Sequence, residues 1–380
     1  MTEKLKKYAL FIKIIIAILV GICIGLHFPQ SISTFFIEIS DFLQKLIGFL
    51  VPLIVIGFVV SGISSLKNSS GKLLSVALGL SYVFMIIGAV GSYFVSKSVF
   101  PMLLGSQSVD VGDFDFKFNP HFNISIPPLM DVTTAIILAF IIGIGISKIK
   151  SNNLRSFFDE FHDIVDLTVQ KVMIPIIPFY IVGVFAKISS RGKIINILFN
   201  FSKLIAVVIC MHLAILLFQY IVAAIVSRKN PLKLLKNVIP AYVTSLATQS
   251  SVAVIPFSIE CAENNGVSKK ISNFILPLCS TIHLTGSAIS ITANVVAVLM
   301  MNNAEVSFGK ILPFILMLGI IMVAAPGVPC GTIFAIIPLL QSSLGFTEGM
   351  IGMIVALHVA QDGFGTACNV TGDGSIAVIT

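Results

Sequence analysis

Up to residue 227 the chain is a succession of apolar stretches, each long enough to cross a bilayer: roughly 8 to 27, 37 to 64, 73 to 99, 130 to 149, 161 to 188 and 195 to 227. About 20 such residues span the hydrocarbon as a helix. Hydrophobic residues make up 56% of the sequence against 11% charged, and the mean hydropathy is +1.03, more apolar sequence than a soluble core accounts for. The expected fold is therefore all-α and polytopic. The first span follows Lys4, Lys6 and Lys7 and lacks a small-x-small cleavage site, so it reads as a retained anchor.

Lys and Arg cluster at the N-terminus, at Lys67 and Lys72, between Lys148 and Arg155, and between Arg228 and Lys236, which places the N-terminus in the cytoplasm. Lys187, Arg191 and Lys193 run against that pattern. The formal charge of +7 is mostly this loop bias and does not point to a nucleic-acid partner. The polar segment 104 to 128, with Asp110, Asp113 and Asp115, reads as a solvated external loop, and Asp159, Glu160, His162, Asp163 and Asp166 as a charged membrane-surface start to the fifth helix. The six cysteines show no CxxC pair or metal-ligand spacing and read as packing residues.

Beyond residue 227 the spans are interrupted. Between Pro231 and Gly266 an apolar stretch is broken by Thr244-Ser245-Leu246-Ala247-Thr248-Gln249-Ser250-Ser251, with Pro256 beyond. A straight helix would hold that polar run at membrane depth, whereas a re-entrant hairpin places it at a tip lining a cavity, where irregular backbone is tolerated. A second break, Pro326-Gly327-Val328-Pro329-Cys330-Gly331, divides 311 to 345 in the same way. Each broken segment precedes a long span with its own polar interruption, Ser280 to Ser287 and Gln361 to Asp373. Paired interruptions in two halves are a sequence pointer to an inverted repeat and a transporter binding site.

The last span carries the chain's most telling pattern. His358, Asp362, Thr366, Asn369 and Asp373 recur every three or four residues, so one face of an apolar helix is polar throughout. An aspartate at the centre of a membrane helix costs about 2.5–3.5 kcal/mol on insertion scales, so two on one face point to function.

These residues resemble the dicarboxylate/amino acid:cation symporters, a family that includes the glutamate transporters. Thr248-Gln249-Ser250-Ser251 is similar to the serine-rich tip of the family's first hairpin, Gly327-Val328-Pro329 to the second tip, and Asn369-Val370-Thr371-Gly372-Asp373 to its terminal-helix signature. The resemblance is strong from about 160 to 380. It implies eight transmembrane helices plus two re-entrant helical hairpins, inverted repeats, an elevator mechanism and a homotrimer in the plasma membrane. Residues 1–227 would then be rich in scaffold, with the third and sixth spans flanking a transport core at 228–380. That core would comprise hairpin 1 (about 231–266), helix 7 (about 268–301), hairpin 2 (about 306–345) and helix 8 (about 347–380).

The resemblance also implies roles. Asp362 matches the aspartate that holds a substrate's amino group, but three residues on, where carriers of acidic amino acids have an arginine, stands Gly365. No arginine follows Arg228, and Lys310, His283 and His358 are the only basic residues in the last 110. A buried acidic side chain without a charged partner is disfavoured, so the expected substrate is a small neutral amino acid of serine or threonine type. Thr366 would lie near its side chain, with Asn369 and the tips at Ser250, Ser251, Gly327, Val328 and Pro329 around its carboxylate. Asn369 and Asp373 match residues the family places around sodium. Where the family's seventh span reads Asn-Met-Asp-Gly-Thr, this chain has His283-Leu284-Thr285-Gly286-Ser287, so Thr285 and Ser287 offer hydroxyls where a carboxylate is expected. Fewer sodium ions, or a proton carried by His283, are both compatible with that exchange. No cofactor is expected beyond the coupling cation.

Carriage of dicarboxylates or acidic amino acids is the alternative within the class. A passive channel is the alternative outside it, separated by gradient-driven uptake. An enzyme of the aspartyl-protease kind is excluded, because Asp362 and Asp373 on one helix are separated by about 16 Å of rise at about 1.5 Å per residue and cannot share a proton.

Overall fold

The computed structural model describes residues 9–65, 71–104, 124, 126–130, 132–149, 153–190, 194–323 and 331–380. Helices dominate throughout, as the hydropathy demands. In chain order they are α1 (Ala9–His27), α2 (Gln30–Ser65), α3 (Gly71–Leu104), α4 (Val132–Lys148), α5 (Asn153–Thr168), α6 (Ile174–Ser189), α7 (Ile194–Ser227), α8 (Pro231–Thr248), α9 (Ser251–Asn264), α10 (Lys269–Ile282), α11 (Thr285–Met301), α12 (Phe308–Val323), α13 (Gly331–Leu344) and α14 (Glu348–Ile379). Helical stretches Leu73–Leu104, Phe201–Ser227, Lys269–Met301 and Gly349–Ile379 are each long and apolar enough to cross a membrane. The tip at Gly327-Val328-Pro329, Cys330 and the acidic run Asp110, Asp113 and Asp115 lie outside the described residues.

Two groups of helices emerge. In the first, α1 packs on α6, and α2 packs on α4, α5 and α6. The α1–α6 crossing depends on small residues: a Cβ on Gly21 would stand 2.6 Å from Val182 O and 2.8 Å from Phe185 Cβ, so the backbones meet at a distance only glycine permits. The stretch read as a single fifth span bends instead. A five-residue π-helical turn, Val169–Met173, separates α5 from α6, and the segments Asn153–Met173 and Pro175–Lys187 meet at 45°. Pro175 has no N–H for the carbonyl one turn back, and a π-bulge with proline is a recognised cause of such a kink. Before the kink, Asp159 accepts a hydrogen bond from Ser61 Oγ at 2.9 Å and pairs with Arg155 at 3.7 Å, while His162 lies 3.3 Å from Asp163. The charges there form local surface pairs. Among the described residues no three His, Cys, Asp or Glu side chains gather in a metal-binding group.

The second group is built around α14, which packs on α7, α8, α9, α10 and α11, while α3 packs on α11 and α12. Helices α8 and α9 lie against each other as a hairpin. The chain turns at Gln249, whose left-handed backbone (φ 50°, ψ 31°) closes α8 and returns its N–H to Ser245 O at 2.8 Å. Asn230 caps the start of α8 by accepting from Leu232 N and Lys233 N, and Ser268 caps α10 through Ile271 N. Between α10 and α11 the helix stops for two residues, His283 and Leu284, both outside helical geometry.

Replacing Gly21 by leucine should lower the thermal midpoint of the purified protein by several degrees, since overpacking a tight contact costs about 1–3 kcal/mol. Gly91→Ala, where nothing stands within 4 Å of the added carbon, should leave it unchanged. Equal midpoints for the two variants would refute the glycine contact.

Candidate functional site

Unwinding a helix inside an apolar core exposes peptide groups that must find partners. At the α10–α11 break the partners come from α14 and α7. Asn369 Oδ1 accepts from Gly286 N at 2.7 Å and Ser287 N at 3.3 Å, and its Nδ2 donates to Ser287 Oγ at 2.9 Å. One amide thus caps the N-terminus of α11, where the orphan N–H groups are. On the other side His212 Nε2 lies 2.9 Å from Gly286 O and 3.1 Å from Ser290 Oγ. The approach is close because a Cβ on Gly286 would meet Gly365 O and Cys368 Cβ, both at 2.6 Å.

One turn further along α14, Asp373 is buried to 2% exposure and its Oδ1 lies 2.9 Å from His283 Nδ1. His283 is itself wholly buried, its Nε2 2.7 Å from Thr285 Oγ1 and 3.1 Å from Gln219 Nε2 of α7, with the Phe84 ring edge-on at 6.4 Å. Gly372 makes room for this cluster, since a Cβ there would lie 2.5 Å from His283 Cε1 and 2.7 Å from Gln219 Oε1. Tyr220, the next residue on α7, donates to Thr371 O at 2.8 Å.

Toward the other end of the stripe lies Asp362. Its side chain keeps 14% exposure, and His358 Nε2 stands 3.6 Å from Oδ1. His358 is 2% exposed, and neither of its ring nitrogens has a hydrogen-bond partner among the described residues. The α8–α9 tip reaches α14 here: a Cβ on Gly363 would lie 3.2 Å from Gln249 Nε2 and 3.5 Å from Leu246 O. That contact brings the half-buried Ser250 and Ser251 into the neighbourhood of Asp362. Gly365 is less crowded than Gly352, Gly363, Gly372 and Gly374 of this helix, because a Cβ on it meets Ser287 Oγ only at 3.6 Å, an ordinary contact distance. Thr366 is buried on the same face. Lys310, the last lysine of the chain, is exposed in the first turn of α12 and held 2.6 Å from Glu305 in the connection before it. It contributes nothing to this site.

The polar stripe of α14 therefore has an accessible carboxylate beside a hairpin tip, an amide that caps a broken helix, and a buried carboxylate on a histidine. Residues 10–380 match the sequence profile of the sodium:dicarboxylate symporter family. The chain belongs to that family. It is 30% identical over 253 residues to the neutral amino acid transporter A of Bos taurus, covering 64% of this chain and 47% of the relative. It is also 30% identical over 234 residues to the human excitatory amino acid transporter 1, covering 60% and 43%, and 27% identical over 243 residues to an excitatory amino acid transporter of Caenorhabditis elegans. The matches thus take in less than half the length of these relatives. Family membership and the apolar helices together make this a multi-pass membrane protein.

Sequence reasoning overlooked α7 as a source of polar groups for the family site. His212, Gln219 and Tyr220 stand at i, i+7 and i+8 in an otherwise apolar span, a helical spacing that puts them on one face. It named Gln361 as the start of a polar stretch but gave it no role; Gln361 Nε2 donates to Asn294 Oδ1 at 3.1 Å between α14 and α11.

Asn369→Ala should leave the N–H groups of Gly286 and Ser287 without an acceptor, at about 1–3 kcal/mol for each buried group. Hydrogen exchange at those two amides should accelerate at least tenfold. Unchanged protection would show that the cap is not what holds the start of α11.

Proposed function

We propose that this chain is a secondary active symporter that carries a small neutral amino acid, of serine or threonine type, together with sodium. The observation that carries the reading is the pairing of Asp362 with Gly365. A carboxylate that keeps 14% exposure suits a substrate ammonium, and the position one turn away, Gly365, carries no cationic side chain. A second carboxylate on the substrate would go unpaired in a desolvated pocket, at a cost of several kcal/mol. A hydroxyl group finds Thr366 and Ser287 instead. The substrate's own carboxylate is assigned to the start of α9 at Ser250 and Ser251, where a helix N-terminus favours negative charge, and to the tip at Gly327, Val328 and Pro329. Asn369 joins it only if the bonds that cap α11 open.

Sodium is assigned to the neighbourhood of Asp373, with Asn369, Thr285 and Ser287 supplying further side-chain oxygens. Cation binding would neutralise the carboxylate and favour closure of the second hairpin over the substrate. In the alternating-access cycle the two hairpins, α10–α11 and α14 move as a transport unit against α1, α2 and α4 to α6. The N-terminus faces the cytoplasm, the membrane is the plasma membrane, and the assembly is a homotrimer. One observation favours a second reading, in which a proton replaces sodium: the nearest partner of Asp373 is a histidine at 2.9 Å.

Asp362→Asn should purify folded and lose amino-acid binding by at least 100-fold, measured by calorimetry on detergent-solubilised protein. Wild-type affinity in that variant would contradict the amino-group assignment. A Cβ on Gly365 would meet nothing nearer than 3.6 Å, and Gly365→Arg should shift uptake toward acidic substrates; an unchanged substrate profile would count against the pocket.

A further inference from the structure

Between α7 and α8 lies a cavity of about 390 Å³ that plays no part in the proposed symport. Leu213, Leu216 and Leu217 of α7 line one side, and Leu232, Leu235 and Ile239 of α8 the other, the last three at helical spacing. Helix α14 packs on both and contributes Thr371. Leu213, Leu217, Leu232 and Ile239 are exposed, so the cavity is a groove open along its outer side. Where a membrane helix exposes leucine, acyl chains are its natural neighbours.

Length and charge indicate what fits. From Leu232 to Tyr242, which also lines the groove, is ten residues of α8, about 15 Å of helix at about 1.5 Å per residue. That is half of the roughly 30 Å hydrocarbon core, the depth of one leaflet. Lys236 lines the same groove toward its Leu232 end and is exposed. It belongs to a basic run, Arg228, Lys229, Lys233 and Lys236, in a stretch with no acidic residue from 167 to 259. Lys229 Nζ donates to the Asn265 carbonyl at 2.5 Å. Among the described residues Arg228, Lys233 and Lys236 form no ion pair, either with Glu260 and Glu263 of α9 or with any other acid. An apolar slot one leaflet deep, with unneutralised basic groups at its surface end, matches a lipid with a negatively charged headgroup. A zwitterionic lipid would bring a second cation to those lysines.

We propose that the α7–α8 groove binds one acidic phospholipid, with its headgroup phosphate on Lys236 and one acyl chain lying along the leucines as far as Tyr242. The bound chain fills the space between α7, α8 and α14 and stabilises their packing.

The test is the thermal midpoint of delipidated protein in mixed micelles, as phosphatidylglycerol replaces phosphatidylcholine of the same chains at constant total lipid. Ligand binding to the native state raises the midpoint with occupancy. Wild type should show a saturable rise, and inorganic phosphate should not reproduce it. Lys236→Ala should need at least tenfold more phosphatidylglycerol for the same rise, and Lys236→Arg should keep the wild-type response. Leu217→Trp, which fills the groove and leaves the lysine in place, should lose it; if that variant does not fold, Ile239→Trp takes its place. Equal midpoints in the two lipids overturn the proposal, as does an unshifted response in Lys236→Ala. A groove-filling variant that still responds like wild type overturns the placement of the chain, and a rise with phosphate alone would make this an ion site and not a lipid site. A midpoint that follows protein concentration and ignores lipid would mean that a second copy of the chain covers the groove, and that too overturns it.

Discussion

Everything in the C-terminal half depends on how a broken helix is satisfied in an apolar core. The two residues between α10 and α11 leave helical geometry where no bulk water is available to peptide groups. Asn369 closes the account on the N–H side and His212 on the carbonyl side of Gly286. Because Asn369 belongs to α14, the stripe of polar residues on that helix is fixed in register against the break. Asp362 and Asp373 inherit their positions from it.

The two aspartates then diverge by environment. Asp373 is buried, with His283 on its carboxylate and Tyr220 of α7 bonded to Thr371 two residues earlier. Asp362 keeps some exposure and faces the α8–α9 tip. A closed carboxylate suits a small ion, and a half-open one suits a ligand that must come and go. Glycine makes the division possible, since Gly286 admits α14 to the break and Gly372 admits the histidine, whereas a Cβ on Gly365 would meet its nearest neighbour at an ordinary 3.6 Å.

The class of fold and the polar face of α14 were legible because both are periodic. Apolar spans announce themselves by length, and residues 358, 362, 366, 369 and 373 fall on a helical repeat in a helix that runs unbroken from Glu348 to Ile379. The absence of arginine after residue 228 is likewise a fact of sequence. What the sequence could not convey is which apolar helix turns its few polar residues toward that stripe. His212 and Gln219 in α7 look like isolated polar residues until the helix is set against α11, α14 and the break before α11. Nor does spacing distinguish an asparagine that would bind a ligand from one that caps a neighbouring helix, and Asn369 makes three hydrogen bonds within the protein. The kink between α5 and α6 was hidden for a different reason: Pro175 and Pro178 sit inside an apolar stretch whose hydropathy does not register a bend.

The central claim is that α14 couples a neutral amino acid at Asp362 to a cation at Asp373. Uptake of radiolabelled amino acids and dicarboxylates into proteoliposomes, under an inward sodium gradient and separately under a proton gradient, tests it most directly. The account predicts accumulation of a small neutral amino acid driven by sodium. Accumulation of a dicarboxylate, accumulation driven by protons alone, or no gradient-driven uptake would each contradict it.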